Sequence, residues 1–298
     1  MNNRHLLSIA NMKGGVGKTT IAVGLALTIS AQAGASVLLI DLDPQSNSSF
    51  WVCGDEFLAD LIEAGRTIDA YLEERLIYQR DSHLADFVHR AKPHLSEGRN
   101  LSVIPASPEL RLAERELLYF LSLRHRSLRD AEKDAGDRFL KEVNALRGSF
   151  DVIIVDTAPG ISPLSEAVLR ESDMVVVPTI PDYVSNLGLE AFCRSIWWAA
   201  DPKLPQRPPW VLANMVRPTA HHRVMLREMR AEAESPDAGF RMFEVAFPNS
   251  IAIEEGGGLI GSGDQDSPAL FDPQVTDLFN QLVHEISATL GAKARGAA

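Results

Sequence analysis

Six short runs in this chain are apolar on both faces: HLLSIA (5–10), SVLLID (36–41), LSVIP (101–105), DVIIVD (151–156), DMVVVP (173–178) and WVLANM (210–215). A strand with one wet face alternates apolar and polar residues, so runs without alternation belong to strands covered on both sides. Segments with helical spacing separate them, at 18–33, one or two within 57–91, then 108–124, 136–147, 163–171, 186–200 and 221–234. Buried strands joined by helical crossovers define a doubly wound, mostly parallel α/β sheet flanked by helices. No linker or composition shift divides the chain, so residues 1–298 are expected to form one domain. A loop is expected over the Gly-, Ser- and Asp-rich stretch 256–268. A last helix is expected over 274–290, followed by a disordered tail at 291–298. Its apolar stripe, Val275, Leu278, Phe279, Leu282, Val283, Ile286 and Leu290, should pack on the domain.

In such sheets ligands bind beyond the carboxyl ends of the strands, and the chemistry-bearing residues fall there. The stretch NMKGGVGKTT (11–20) follows the first run and opens a helix. Gly14, Gly15 and Gly17 let the backbone curl until successive N–H groups, that of Val16 included, face an anion, and the helix N-terminus adds positive potential. Lys18 is then placed to cap phosphates, the Thr19 hydroxyl to reach Mg²⁺ and Thr20 an inner phosphate. The common GxxxxGK[ST] spacing asks for glycine at 12, where this chain has Met12; what it has in addition is a second lysine, Lys13. Asp41 and Asp43 end the second run and Asp156 ends the fourth. One aspartate at a strand end commonly forms a turn or caps a helix, but three in this order behind a phosphate loop read as a metal and water site.

Composition limits the partners. A formal charge of −11 means that any nucleic-acid site must be a local patch. Arg223, Arg227 and Arg230 fall at i, i+4 and i+7 and would share one face of the 221–234 helix, with Glu228, Glu232 and Glu234 partly offsetting them; Arg124, Arg126 and Arg129 form a second, weaker cluster. No apolar stretch nears the ~20 residues of a membrane span, and the N-terminus does not read as a signal peptide, so a cytoplasmic protein is expected. Cys53 and Cys193 are isolated and read as reduced core thiols.

KGGVGKTT resembles the deviant Walker A motif of the ParA/MinD family, and LLIDLDPQSN and DVIIVDTAPG resemble that family's two strand-end carboxylate segments. The similarity continues through NLSVIPASPELRLAERELL (100–118), VVVPTIPDYVSNLGLEAF (175–192), WVLANMVRPTAHH and VAFPNSIAIEEGG; Ala158 and Gly160 depart slightly from the family's usual segment after Asp156. The resemblance implies the P-loop NTPase fold, ATP and Mg²⁺ as cofactors and weak ATPase activity. It implies that Lys13 crosses a homodimer interface to the partner's ATP, that Asp43 positions or activates the attacking water, and that Asp41 and Asp156 organise Mg²⁺ with Thr19. Asn214 would read the adenine base, or serve merely as a strand-end turn residue, and Pro248 would lie in the segment closing over the base. ParA-like members bind DNA without sequence preference and segregate or position a cargo with a ParB-like or other adaptor that stimulates hydrolysis, which implies plasmid or chromosome partition and nucleoid association in the ATP state. MinD-like members use the membrane instead. The tail GAKARGAA lacks the bulky apolar residues of a membrane anchor, so the ParA branch is favoured over a MinD-like membrane-associated ATPase.

Overall fold

The structure is a computed structural model that describes residues 4–32, 34–92, 100–193, 196, 208–236, 238–249 and 273–296. Among these, eight strands form one sheet: β1 His5–Ile9, β2 Ser36–Leu42, β3 His89–Arg90, β4 Asn100–Ile104, β5 Val152–Thr157, β6 Met174–Thr179, β7 Trp210–Val216 and β8 Arg241–Pro248. The order is β3-β4-β2-β5-β1-β6-β7-β8, and only the β3–β4 pair is antiparallel. β5 and β6 are buried at every residue, as runs lacking alternation require. The expected doubly wound sheet is therefore the observed one.

Helices cover both faces: α1 Lys18–Ser30, α2 Asn47–Cys53, α3 Asp55–Glu63, α4 Ile68–Tyr71, α5 Leu110–Ser122, α6 Leu128–Leu146, α7 Pro163–Glu171, α8 Tyr183–Cys193, α9 Ala220–Ala233 and α10 Pro273–Gly296. A π-helical turn, Leu72–Ile77, continues α4. One apolar layer joins α1, α2, α3 and α10 to the sheet; the other joins α4, α5, α6 and α7 to its opposite face. The α10 stripe packs inward as expected, with Val275, Phe279, Leu282, Val283, Ile286 and Leu290 buried and Leu278 half-buried. Phe279 lies edge-on to Phe247 of β8, ring centroids 4.9 Å apart, and faces Gly24 of α1, where a Cβ would come within 2.0 Å of its ring.

Three expected helix boundaries need correction. α10 does not end near 290 but runs to Gly296, because Ala-Lys-Ala-Arg prolongs a helix readily; the expected disordered tail is helical over 291–296. α6 starts at Leu128 rather than 136, since the Ser127 hydroxyl accepts the Asp130 N–H and caps it. α8 begins at Tyr183, three residues before the expected start. β8 was not expected, although Phe243, Val245 and Phe247 are buried at alternate positions. The 256–268 loop lies outside the described residues, as does the 186–200 helix beyond Cys193, apart from Ile196.

Candidate nucleotide site

The site is assembled at the carboxyl ends of β1, β2, β5 and β6. Register places Ile9 beside Asp156 and Asp41 beside Asp156, which brings the phosphate loop and both buried aspartates together. Asn11 starts the loop: its Nδ2 donates to the Pro178 carbonyl at 2.8 Å and its Oδ1 accepts the Lys13 N–H at 3.0 Å. The Thr157 hydroxyl donates to the Ile9 carbonyl at 3.0 Å, tying β5 to the same corner. Gly15 and Gly17 are left-handed, with φ of 71° and 85°. At Gly17 a Cβ would stand 2.4 Å from Asn214 Nδ2, so both conformation and space require glycine there.

The two lysines part company. Lys18 is buried and its ammonium donates to the Lys13 carbonyl at 3.3 Å, folding over the loop. Burial lowers its pKa, opposed by the charges of Asp156 and Asp43. Lys13 points away, its ammonium 2.9 Å from Ser185 Oγ and 3.4 Å from Asp182 Oδ2, and its side chain is 38% exposed. Burial works against ionisation of Asp182, yet the Ser185 N–H and hydroxyl and Lys13 bring its pKa below the usual carboxylate value.

Asp41 is fully buried with both oxygens engaged: Oδ1 accepts the Asp43 N–H at 3.0 Å, and Oδ2 accepts the Ser49 N–H and hydroxyl at 3.0 and 2.6 Å. Burial, reinforced by the charge of Asp156, pushes its pKa up to about 7. A carboxylate so occupied holds the Asp43 backbone and the Ser49 turn in place. Asp156 is the opposite case. Burial raises its pKa to about 6, against hydrogen bonds from the Ser48 and Thr19 hydroxyls, and its Oδ1 is buried without a partner. An orphaned carboxylate oxygen near Thr19 and Lys18, at the mouth of a glycine cradle, fits a hydrated Mg²⁺ beside a phosphate chain. Asp43 lies on the loop after β2, its Oδ1 accepting the Gln45 N–H at 2.9 Å.

Asn214, on β7, donates from Nδ2 to the Val16 carbonyl at 2.8 Å. It braces the phosphate loop from behind. Pro248 ends β8, exposed and in register with Val216 beside the same end of the sheet. Thr20 is half-buried on the first turn of α1. On α9, Arg223 and Arg227 are exposed, but Arg230 donates to the Glu244 carbonyl at 2.9 Å and so docks on β8. Sequence reasoning did not single out Asn11, Ser48, Ser49, Asp182 or Ser185. Ser48 and Ser49 sit five and six residues past Asp43, whereas Asp182 and Ser185 meet Lys13 across about 170 residues.

A glycine cradle between β1 and α1, a buried lysine and an orphaned strand-end aspartate define a P-loop nucleotide-binding α/β protein. Residues 4–202 match the AAA_31 family, described as an AAA domain. The chain is 30% identical over 253 residues to the chromosome partitioning protein ParA of Myxococcus xanthus, covering 84% of this chain and 77% of that one. It is 32% identical over 191 residues to the sporulation initiation inhibitor protein Soj of Bacillus subtilis, 64% of each. Two of the relatives it matches are spanned over only 64% of their own length. In fold it is similar to a putative plasmid partition protein of Borrelia burgdorferi bound to AMPPNP, with a TM-score of 0.64, 17% identity and coverage of 94% and 99% of the two chains. The chain belongs to the ParA/MinD family of P-loop ATPases.

Proposed function

We propose that this protein is an ATP-dependent, Mg²⁺-requiring ATPase of the ParA type that closes into a dimer around nucleotide, binds DNA non-specifically in that state and positions a cargo, a plasmid or chromosome region foremost. The observation that carries the reading is the division of labour between the lysines. Lys18 already serves its own loop, while Lys13 is held outward by Asp182 and Ser185 on a half-exposed side chain. A cation stationed outside its own site is placed to be delivered to another subunit, as an arginine finger is in trans.

In this reading the loop N–H groups from Gly14 to Thr20 and the buried Lys18 would hold the phosphates, and Thr19 and Asp156 would hold the metal. Mg²⁺ would offset charge on the phosphates. Asp43, on a loop braced at both ends, orients water. Closure draws Lys13 off Asp182; the pair is partly exposed and worth under about 1 kcal/mol, so it is a weak restraint. Exposed Arg223 and Arg227 are the DNA candidates. A ParB-like or other cargo adaptor that stimulates hydrolysis completes the cycle.

The test is light scattering of the wild type and Lys13→Ala with a non-hydrolysable ATP analogue and Mg²⁺. The wild type should become dimeric, and Lys13→Ala should bind the analogue with similar affinity yet stay monomeric. A Lys13→Ala protein that dimerises like the wild type overturns the assignment.

A further inference from the structure

The Asp156 carboxylate is asymmetric. Oδ2 accepts the Ser48 hydroxyl and the Thr19 hydroxyl lies against the same carboxylate, while Oδ1 is buried with no hydrogen-bond partner. Ser48 is fully buried on the first turn of α2, and the next residue repeats the contact one strand over. There the Ser49 hydroxyl donates to Asp41 and its oxygen accepts the Ala106 N–H at 2.9 Å. Two consecutive serines thus stitch one helical turn to the ends of β2 and β5 and to the segment after β4.

The loop that carries Asp43 runs directly into this turn. Its start is fixed by the Asp43 N–H on Asp41 Oδ1 and its end by the Ser46 N–H on the Asp43 carbonyl at 2.8 Å. Ser46 closes it at a φ of 54°, a left-handed conformation that disfavours non-glycine residues. A loop this short and constrained follows the turn that ends it. Ser48 therefore links two groups that the sequence separates by 113 residues, the Asp43 loop and the carboxylate of Asp156.

Resting on the nucleotide reading above, we propose that Ser48 is a positioning residue: by donating to Oδ2 of Asp156 it fixes the rotation of the carboxylate that would hold Mg²⁺ with Thr19, and ties that orientation to the loop bearing Asp43. A hydroxyl donating to a carboxylate is a charge-assisted bond that fixes the rotation of the group. Losing such an outer partner typically weakens metal binding about 10- to 100-fold.

The experiment uses the full chain as wild type, Ser48→Ala, Ser48→Cys and Ser49→Ala. Affinity for a fluorescent ATP analogue is measured in EDTA and across a Mg²⁺ titration, and amide hydrogen exchange of residues 43–49 is followed without nucleotide. Ser48→Ala should keep its affinity in EDTA, raise the Mg²⁺ midpoint by about tenfold or more, and exchange faster in the loop. Ser48→Cys, similar in size with a weaker donor, should shift the midpoint by an intermediate amount, and it carries the comparison should the alanine variant not fold. Ser49→Ala also loses buried hydrogen bonds, but not to Asp156; it should lose thermal stability and keep its midpoint within about twofold. An unchanged midpoint in Ser48→Ala, or an equal shift in Ser49→Ala, overturns the role of Ser48 while leaving nucleotide binding intact. A wild type that binds no nucleotide at any Mg²⁺ concentration overturns the nucleotide reading itself and this proposal with it.

Discussion

At the scale of single residues, position along the strand end decides what a carboxylate or amide does. Asp41 and Asp156 are register neighbours, equally buried and of the same residue type, yet one has both oxygens bound to backbone and serine while the other keeps one oxygen open. Asn214 is a similar case. Its amide supports the Val16 carbonyl from behind the phosphate loop. Asn214→Ala should therefore lower affinity for ATP and GTP alike by about tenfold, the scale of one buried hydrogen bond. A base-reading residue would instead change the ratio of the two. Competition binding of both nucleotides to the variant separates the outcomes, and a selective loss of ATP affinity would assign Asn214 the base-reading role instead.

Among elements, α1 is the pivot. It opens at the phosphate loop, is buried on nearly all sides, and carries α10 on its outer surface. The contact is close because Gly24 has no side chain: a Cβ there would fall 2.0 Å from the Phe279 ring. Gly24→Ala should cost about 1–3 kcal/mol by overpacking, and adding Phe279→Leu should recover part of it. Thermal melts of the single and double variants check this, and a Gly24→Ala protein as stable as the wild type would contradict the packing. Element boundaries show how legible such features were. Ser127 and Asp130 spelled out the start of α6, and the alternation in β8 was written in Phe243, Val245 and Phe247. α2 carried no comparable signal: Ser46 before it offers no side-chain cap, and the helix is held instead by the Ser48 and Ser49 contacts to distant aspartates.

For the whole molecule, a net charge of −11 sets a test of the DNA reading. Binding must come from a patch, and on α9 only Arg223 and Arg227 of the expected ridge remain exposed, since Arg230 is docked on β8. ATP-dependent DNA binding should weaken steeply with salt, and Arg223→Ala or Arg227→Ala should each reduce the salt slope by about one unit. Arg230→Ala should instead lower the melting temperature. Filter binding across a salt series gives the slopes; equal binding with ADP and ATP would remove DNA from the cycle.

The sequence by itself determined the layered α/β architecture, the phosphate loop and the strand-end aspartates, because hydrophobic period and short glycine-lysine spacing are local properties that the chain carries before it folds. Only the tertiary structure decided which oxygens of those aspartates stay open, that Lys13 rests on Asp182 and Ser185, and that Asn214 supports the loop. The Lys13, Ser48 and Asn214 contacts each join residues more than 100 positions apart near the ends of neighbouring strands, and strand order, unlike strand composition, is fixed only when the sheet is assembled.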